Sequence, residues 1–552
     1  MRQSICFAAL TAVVLASAPA VGDEQLIAAV RGGNHETLLS LLDRKDVDID
    51  AGRADGSTAL AWATYMNDER AVELLLRARA DVNKANDFHG VTPLSLACAN
   101  GNSDVVKKLL AAGADPNRAQ LSGETPLMTC ADSGAVDGVK ALLKRGADVN
   151  AKENKDDQTA LMWAVGEKQP QVVRLLVKNG ANVAARSRVI PKPKPYILEM
   201  TLDESIWGSN YPDTTRFQET SGGFTALHFA AQQGDVESAR ILLQAGADID
   251  APLDEWGSAL NIAMASGHEA FALFLLEQGA DPNISDAWGA SPLHYALYKG
   301  LLIINRWRPV DDEYLGWERE NMPRVVEALL KRGADPAATI SHGYPYMEHP
   351  FIARSADLPP QVCPIRATAL HLAAVSGDVE SMRILGPVSD PKAKTIGGAT
   401  LFLLASGAGV EKKARSGTNA VEAAKLALEM GGGSIDDHLT DTVPGGPRRG
   451  VEDRRTALHF ATQLGWTDMI ESLVEQGADL EAGDRYGMTP LMIALGDPEG
   501  RYYRQVGDGN YDLRMRRPGS TPGTGENMKV AELLLALGAE PFTGEYRDSS
   551  GL

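Results

Sequence analysis

The stretch Gly223-Phe224-Thr225-Ala226-Leu227-His228-Phe229-Ala230-Ala231 decides how this chain is read, because it returns along the whole sequence. Earlier openings of the same kind are Gly56-Ser57-Thr58-Ala59-Leu60, Gly90-Val91-Thr92-Pro93-Leu94, Gly123-Glu124-Thr125-Pro126-Leu127 and Thr159-Ala160-Leu161. Later ones are Ser258-Ala259-Leu260, Ser291-Pro292-Leu293-His294, Thr368-Ala369-Leu370-His371, Thr400, Thr456-Ala457-Leu458-His459 and Thr489-Pro490-Leu491. Starts from Thr58 to Thr159 are 34, 33 and 34 residues apart, and Thr225, Ser258 and Ser291 are 33 apart. A period near 33, returning between Thr58 and Thr489 of a 552-residue chain, means a stacked array of small modules rather than one core.

Every module follows one internal logic. The Thr or Ser caps a first helix, and a following Pro is tolerated in its first turn. Small residues such as Ala97, Ala230 and Ala373 let neighbouring helices approach, and a glycine such as Gly101, Gly234, Gly267 or Gly377 turns the chain. A second helix with paired apolar positions follows, for instance Val105-Val106 with Leu109-Leu110. Glycines suited to a left-handed cap end it, as at Gly113, Gly146 and Gly180. An Ala-Asp-x-Asn segment and an Asp-x-x-Gly turn then bend the chain back. One module exposes an apolar face on each side, and stacking buries both.

These segments resemble ankyrin repeats, with their Gly-x-Thr-Pro-Leu-His and Leu-Leu-x-x-Gly-Ala-Asp-x-Asn signatures. The resemblance implies an all-α solenoid of about twelve helix-turn-helix units with β-turn fingers, eleven carrying the motif and a weaker first one over 23–55. Arg79 replaces the capping glycine of the second unit, and the unit at Thr400 keeps little beyond Ala405. The organisation read from the sequence is a signal peptide at 1–20, repeats 1–5 over 21–187 and a Pro- and aromatic-rich insertion over 188–221. Repeats 6–8 follow over 222–337 with an internal insertion at 301–323, then an insertion at 338–365. Repeats 9–12 span 366–542 with insertions at 406–420, 431–453 and 497–527, and 543–552 is a tail. Insertions inside a helix pair are expected to leave on the side away from the fingers, and those between units on the finger side.

Lys and Arg number 54 against 73 Asp and Glu, a net charge of −19, which disfavours nucleic acid and a polybasic membrane contact. Arg2, the apolar run Ile5–Leu15 and the small residues ending at Ala20 read as a secretory signal cleaved near Ala20, too short to span a bilayer. The expected location is therefore secreted or periplasmic, with no stable membrane insertion after cleavage. Of the mature cysteines, Cys98 and Cys130 fall in small-residue helical positions of neighbouring repeats. A buried free thiol behaves there like a slightly larger alanine.

No catalytic motif is found, and no cofactor is expected. His228, His294, His371 and His459 recur at one position, but stacked helices lie about 8–10 Å apart, too far for these residues to converge on a metal. The resemblance implies that this His bonds between neighbouring loops instead. His342, Glu348, His349 and Cys363 suit zinc by type, with no matching close spacing. The stripe of Trp62, Leu96, Trp163, Phe229, Ile262, Tyr295, Leu372, Phe460 and Ile493 reads as core. Ankyrin proteins grip partners by turn tips and by residues before the helix-turn glycine. The candidates are therefore Phe88, His89, Trp256, Trp288 and Tyr486 at tips, and Tyr65, Met66, Tyr298 and Lys299 on helices. Trp207, Tyr211, Tyr314 and Trp317 are further candidates in the insertions. The function expected is a secreted, non-enzymatic scaffold binding another protein, one with a basic patch, through the concave ankyrin face, the finger tips and the insertions. The alternatives are a periplasmic accessory stabilising an exported enzyme, or a hydrolase or metal-dependent enzyme whose site the insertions build.

Overall fold

A computed structural model describes residues 22–191, 220–254, 256–287, 289–305, 320–341, 366–395, 398–408, 410, 419–440, 454–484, 487–495, 501–505, 511–515 and 525–540. The chain divides into two units, one of residues 1–189 with 222–248, the other of 190–221 with 249–552. The first holds the helix pairs α1 (Gly22–Arg31) and α2 (His35–Leu42), α3 (Ala59–Tyr65) and α4 (Glu69–Arg77), α5 (Pro93–Ala99) and α6 (Ser103–Ala111). It continues with α7 (Pro126–Asp132) and α8 (Val136–Lys144), α9 (Ala160–Gly166) and α10 (Pro170–Lys178), α11 (Ala226–Gln233) and α12 (Val236–Gln244). The second unit holds α13 (Ala259–Ala265) and α14 (Glu269–Gln278), then α15 (Pro292–Tyr295), α16 (Tyr298–Asn305) and α17 (Pro323–Lys331). Next come α18 (Ala369–Ser376) and α19 (Val379–Leu385), α20 (Leu401–Ala405) and α21 (Ala420–Glu429). It ends with α22 (Ala457–Leu464) and α23 (Thr467–Glu475), α24 (Pro490–Leu495) and α25 (Gly525–Ala536). Each unit is an all-α ankyrin-type stack.

The sequence dictates these elements locally. Thr58, Thr92 and Thr159 accept from the backbone N–H three residues on, capping the first helix. Behind the cap, Ala97, Ala164, Ala230, Ala231 and Ala373 are fully or almost fully buried, so first helices meet over methyl groups. Second helices contribute the other half of the core, as with Val105, Val106, Leu109 and Leu110. The end of a second helix does not need glycine everywhere: after α4, Arg79 takes the left-handed conformation (φ 68°). The repeat at Thr400 keeps a five-residue first helix, with Phe402, Leu403 and Leu404 buried.

A side-chain ladder fixes the spacing of repeats. Asn83 Oδ1 accepts from the Asp115 N–H (2.8 Å) while its Nδ2 donates to the Gly113 carbonyl (3.2 Å), a helix-end group with no partner inside its helix. Asn117 does the same to Asp148 and Gly146, and Asn150 to Asn182 and Gly180. In the second unit Asn283 bridges to Asp335 (2.8 Å) and Gly333 (3.1 Å) across 52 residues, so an insertion within the pair leaves the rung unchanged.

Insertions leave the stack at two kinds of place. Between repeats they are bracketed by backbone pairs in the finger: Ser187 with Phe224, Ile340 with Arg366 and Ala367, Leu439 with Arg454 and Arg455. Within pairs the insertions begin after Asn305, Val410 and Leu495 in the sequence, and the last of them carries the antiparallel strands β1 (Arg501–Gln505) and β2 (Tyr511–Met515). Two sequence expectations change. Gly300, which follows Tyr298 and Lys299 at the place where those two candidates imply a helix-turn glycine, lies inside α16, an extra helix against α18. Its lack of a side chain is what allows this, since a Cβ there would overlap the Leu372 carbonyl oxygen. Cys98 and Cys130, expected as free thiols, form a disulfide with Cα atoms 4.3 Å apart. They sit six and five residues after their capping threonines, so one faces forward and the other back across the same interface. Closing a loop of this 32-residue separation is worth about 3–4 kcal/mol.

Replacing Gly300 by Ala would gain about 1 kcal/mol of helix propensity at an open site. Here the overlap is expected to win, destabilising the protein by about 2 kcal/mol. Thermal unfolding followed by circular dichroism reads the sign, and a raised Tm would mean that α16 does not pack on α18.

Candidate functional site

The fingers are held from within by acceptor side chains. Asn86 Oδ1 accepts from the N–H of His89 (3.2 Å) and Val91 (2.9 Å), and buried Glu153 accepts from Lys155, Asp156 and Gln158. Neighbouring fingers are laced together by backbone bonds. The N–H of Asp87 donates to Asp55 (3.0 Å), that of Leu121 to His89 (2.9 Å), that of Asn154 to Ser122 (2.9 Å) and that of Arg188 to Asp156 (2.6 Å). This makes a stiff strip in the first unit. Two large apolar side chains project from it on consecutive fingers: Phe88, 67% exposed, and Leu121, 69% exposed. Each stands two residues before its finger glycine, Gly90 and Gly123. Leu121 is not aromatic and so does not stand out among the tips in the sequence, although it is an apolar residue at the position of Phe88.

The other candidates divide. His89 is exposed beside Phe88, and Met66 is 46% exposed at the end of α3. Tyr65 is half-buried, edge-on to Trp62 at 5.8 Å, and Trp62 lies beneath the Arg31 guanidinium at 4.8 Å. Trp256 is half-buried against Tyr295 of the next repeat (6.4 Å). Its glycine, Gly257, directly precedes Ser258, the residue before α13, and Leu253 and Gly257 exchange two backbone bonds that draw the turn inward. Tyr298 stacks on Tyr295 at 6.3 Å, and the Lys299 ammonium holds both Glu320 oxygens at 2.9 Å. Trp207, Tyr211, Trp288, Tyr314, Trp317 and Tyr486 lie outside the described residues, as do His342, Glu348, His349 and Cys363. The stripe read as core is buried at Trp62, Ile262, Tyr295, Leu372 and Phe460. It is only half-buried at Leu96, Trp163, Phe229 and Ile493, so three of the first unit's repeats offer apolar surface beside their fingers.

The recurrent histidines are structural bridges. His294 Nδ1 accepts from the Ser291 N–H (3.1 Å) and its Nε2 donates to the Ala367 carbonyl (3.2 Å). His371 and His459 repeat the pattern, onto Ala393 (3.0 Å) and Met488 (2.9 Å). In the repeat opened by Ser258 the position is Asn261, whose Nδ2 reaches the Trp256 and Ile284 carbonyls. Its shorter side chain leaves Oδ1 and the Ser258 hydroxyl without partners. Burial, against the pull of the Ala367 carbonyl and with His371 nearby, lowers the His294 pKa to about 4; burial lowers that of His371 too. The geometry agrees, because a second proton would set Nδ1–H against a backbone N–H. Among the described residues no group of His, Cys, Asp and Glu is placed to hold a metal ion, and no helix is long and apolar enough to cross a membrane.

Comparison with known proteins finds family models described as ankyrin repeats over residues 26–120, 94–187 and 412–501, a single ankyrin repeat over 222–252 and a further run of ankyrin repeats over 260–303. The E3 ubiquitin-protein ligase KEG of Arabidopsis thaliana is 26% identical over 58% of this chain and 22% of its own. Human transient receptor potential cation channel subfamily A member 1 is 24% identical over 83% of this chain and 36% of its own. The B-cell lymphoma 3 protein homolog of Mus musculus is 34% identical over 27% of this chain and 34% of its own. The chain thus spans between a fifth and about a third of the length of these relatives.

The neutral histidines make stability depend on pH. With a folded pKa of about 4 against 6.5 unfolded, the His294 contribution is whole above pH 6.5 and is lost as pH falls toward 4, up to about 3 kcal/mol. Urea titrations across that window are expected to give a falling midpoint. A His294→Asn variant, which copies the residue at Asn261, is expected to start lower and fall less steeply; an unchanged slope would show that His294 does not set the pH dependence.

Proposed function

The chain belongs to the ankyrin-repeat family, and from that premise we propose that it is an exported, non-enzymatic scaffold that holds a partner protein along its finger edge. The observation that carries this reading is the pair Phe88 and Leu121, apolar, two-thirds exposed and carried on consecutive fingers locked by the Leu121–His89 bond. Each side chain is two-thirds exposed, so stacking does not need it, and apolar groups presented at one position of adjoining fingers make the kind of contiguous surface that marks an interaction site. A preformed strip loses little conformational entropy on binding, which favours affinity from few contacts. The net charge of −19 favours a partner with a basic patch, chiefly by speeding encounter. Export is supported by the Arg2, Ile5–Leu15 and Ala20 pattern. The buried Cys98–Cys130 bond suits an oxidising compartment.

Two measurements test the proposal. Mass analysis of the protein recovered outside the cytoplasm is expected to find a chain beginning after Ala20; an uncleaved chain in the cytosol would remove export. Crosslinking and pull-down from the same fraction is expected to yield a partner protein. Phe88→Ala combined with Leu121→Ala is expected to weaken its binding at least tenfold, taking about 2 kcal/mol per buried anchor, with the circular dichroism spectrum unchanged. Undiminished binding by that folded variant would move the site off the finger edge.

A further inference from the structure

The Cys98–Cys130 bond joins α5 to α7, and both residues are fully buried. The backbone of α8 closes the outer side, since a Cβ at Gly138 would stand 3.1 Å from the Cys130 sulfur. The Ser133 hydroxyl, donating to the Cys98 carbonyl at 2.7 Å, ties the same two repeats at the helix ends. At its other end this interface carries the Leu121–His89 bond between the fingers of Phe88 and Leu121. Thiol–disulfide exchange needs a thiolate in line with a sulfur, and no external thiol reaches a bond enclosed in this way.

We propose that the Cys98–Cys130 bond is a latch, closed by an external disulfide while the repeats opened by Thr92 and Thr125 are apart and then sealed by their stacking, so that its redox state changes only when that one interface opens. In closing, one cysteine thiolate attacks the external disulfide to give a mixed disulfide and one free thiolate. The second cysteine thiolate then attacks the protein sulfur, the S–S bond forms and the second external thiolate leaves. The two protons lost by the cysteine thiols pass through solvent to the two leaving thiolates, and the two electrons end on the external pair, now reduced to two thiols. The oxidised latch holds the two fingers in register, the reduced one lets their interface breathe. The inference rests on the exported reading only for where the oxidant comes from, so it is tested on purified full-length protein refolded with oxidised glutathione.

After alkylation under denaturing conditions without reductant, peptide mapping is expected to find Cys98 and Cys130 unlabelled; labelling of both would overturn the proposal. Native oxidised protein in dithiothreitol is expected to lose the bond at least about a hundredfold more slowly than the same protein in urea above its unfolding midpoint. The rate should climb steeply with urea below that midpoint. Reduction equally fast in both states would overturn the seal. In a Cys98→Ala, Cys130→Ala variant, amide exchange is expected to quicken tenfold or more in α5 and α7 while that of α22 and α23 stays as before. Unaltered exchange in α5 and α7, or an equal rise everywhere, would overturn the latch. None of these readouts depends on where the cell places the protein, so a failure of export leaves them distinct.

Discussion

No helix pair in this protein can hold itself together, and that constraint organises the rest. Among the described residues the first helices run from four to ten residues and the second from seven to twelve, none longer than the roughly 12–15 at which an isolated helix becomes even marginal in water. Their stability comes from the neighbour. Ala97, Ala164 and Ala230 bring backbones close, and the valine and leucine pairs of the second helices fill the remainder. Burial alone would tolerate sliding. The asparagine and histidine rungs do not, because each matches a specific donor to a specific acceptor on the next repeat; a slip by one residue would break the exposed asparagine rungs and strand the buried histidine nitrogens.

The same arrangement explains why long insertions coexist with a regular stack. Asn283 reaches Asp335 over 52 residues at the distance at which Asn83 reaches Asp115, and His294 reaches Ala367 over 73 where His371 reaches Ala393 over 22. What the stack requires is the rung, and the chain between rungs is free in length provided it leaves from a finger or a helix turn. Closing a longer loop costs only about 0.6 kcal/mol per doubling, small beside the contacts it preserves.

Much of this was legible in the sequence, for one physical reason: features that recur from module to module are imposed by stacking, and recurrence makes them visible. The capping threonines, the buried alanines and the bridging histidines belong to this class. What escaped was particular to one place. Gly300 looks like any other turn glycine, and only the close approach of α16 to α18 makes it an interior residue. Cys98 and Cys130 differ by one position relative to their caps, a detail that reads as noise until the two faces of an interface are considered. Leu121 sits in a turn with none of the aromatic character that marked its neighbours. At Arg366 and Arg454 the chain adopts the left-handed conformation that Gly223 and Gly289 occupy elsewhere, with φ of 66° and 59°, so even a strong residue preference yields where neighbouring rungs hold the backbone.

Position within the finger, more than residue type, separates the aromatic tips. Trp256 and Phe88 are both large, yet the glycine of the first abuts the helix cap while that of the second stands two residues before it. The shorter finger curls onto the stack and spends its indole on Tyr295; the longer one projects its ring into solvent. A finger of the longer kind followed by another of its kind puts Phe88 and Leu121 side by side at a spacing set by the rungs beneath them. The repeat architecture therefore does two things with one set of bonds. It supplies stability that no single module has, and it ranks the exposed side chains into those that finish the stack and those that the stack has no use for.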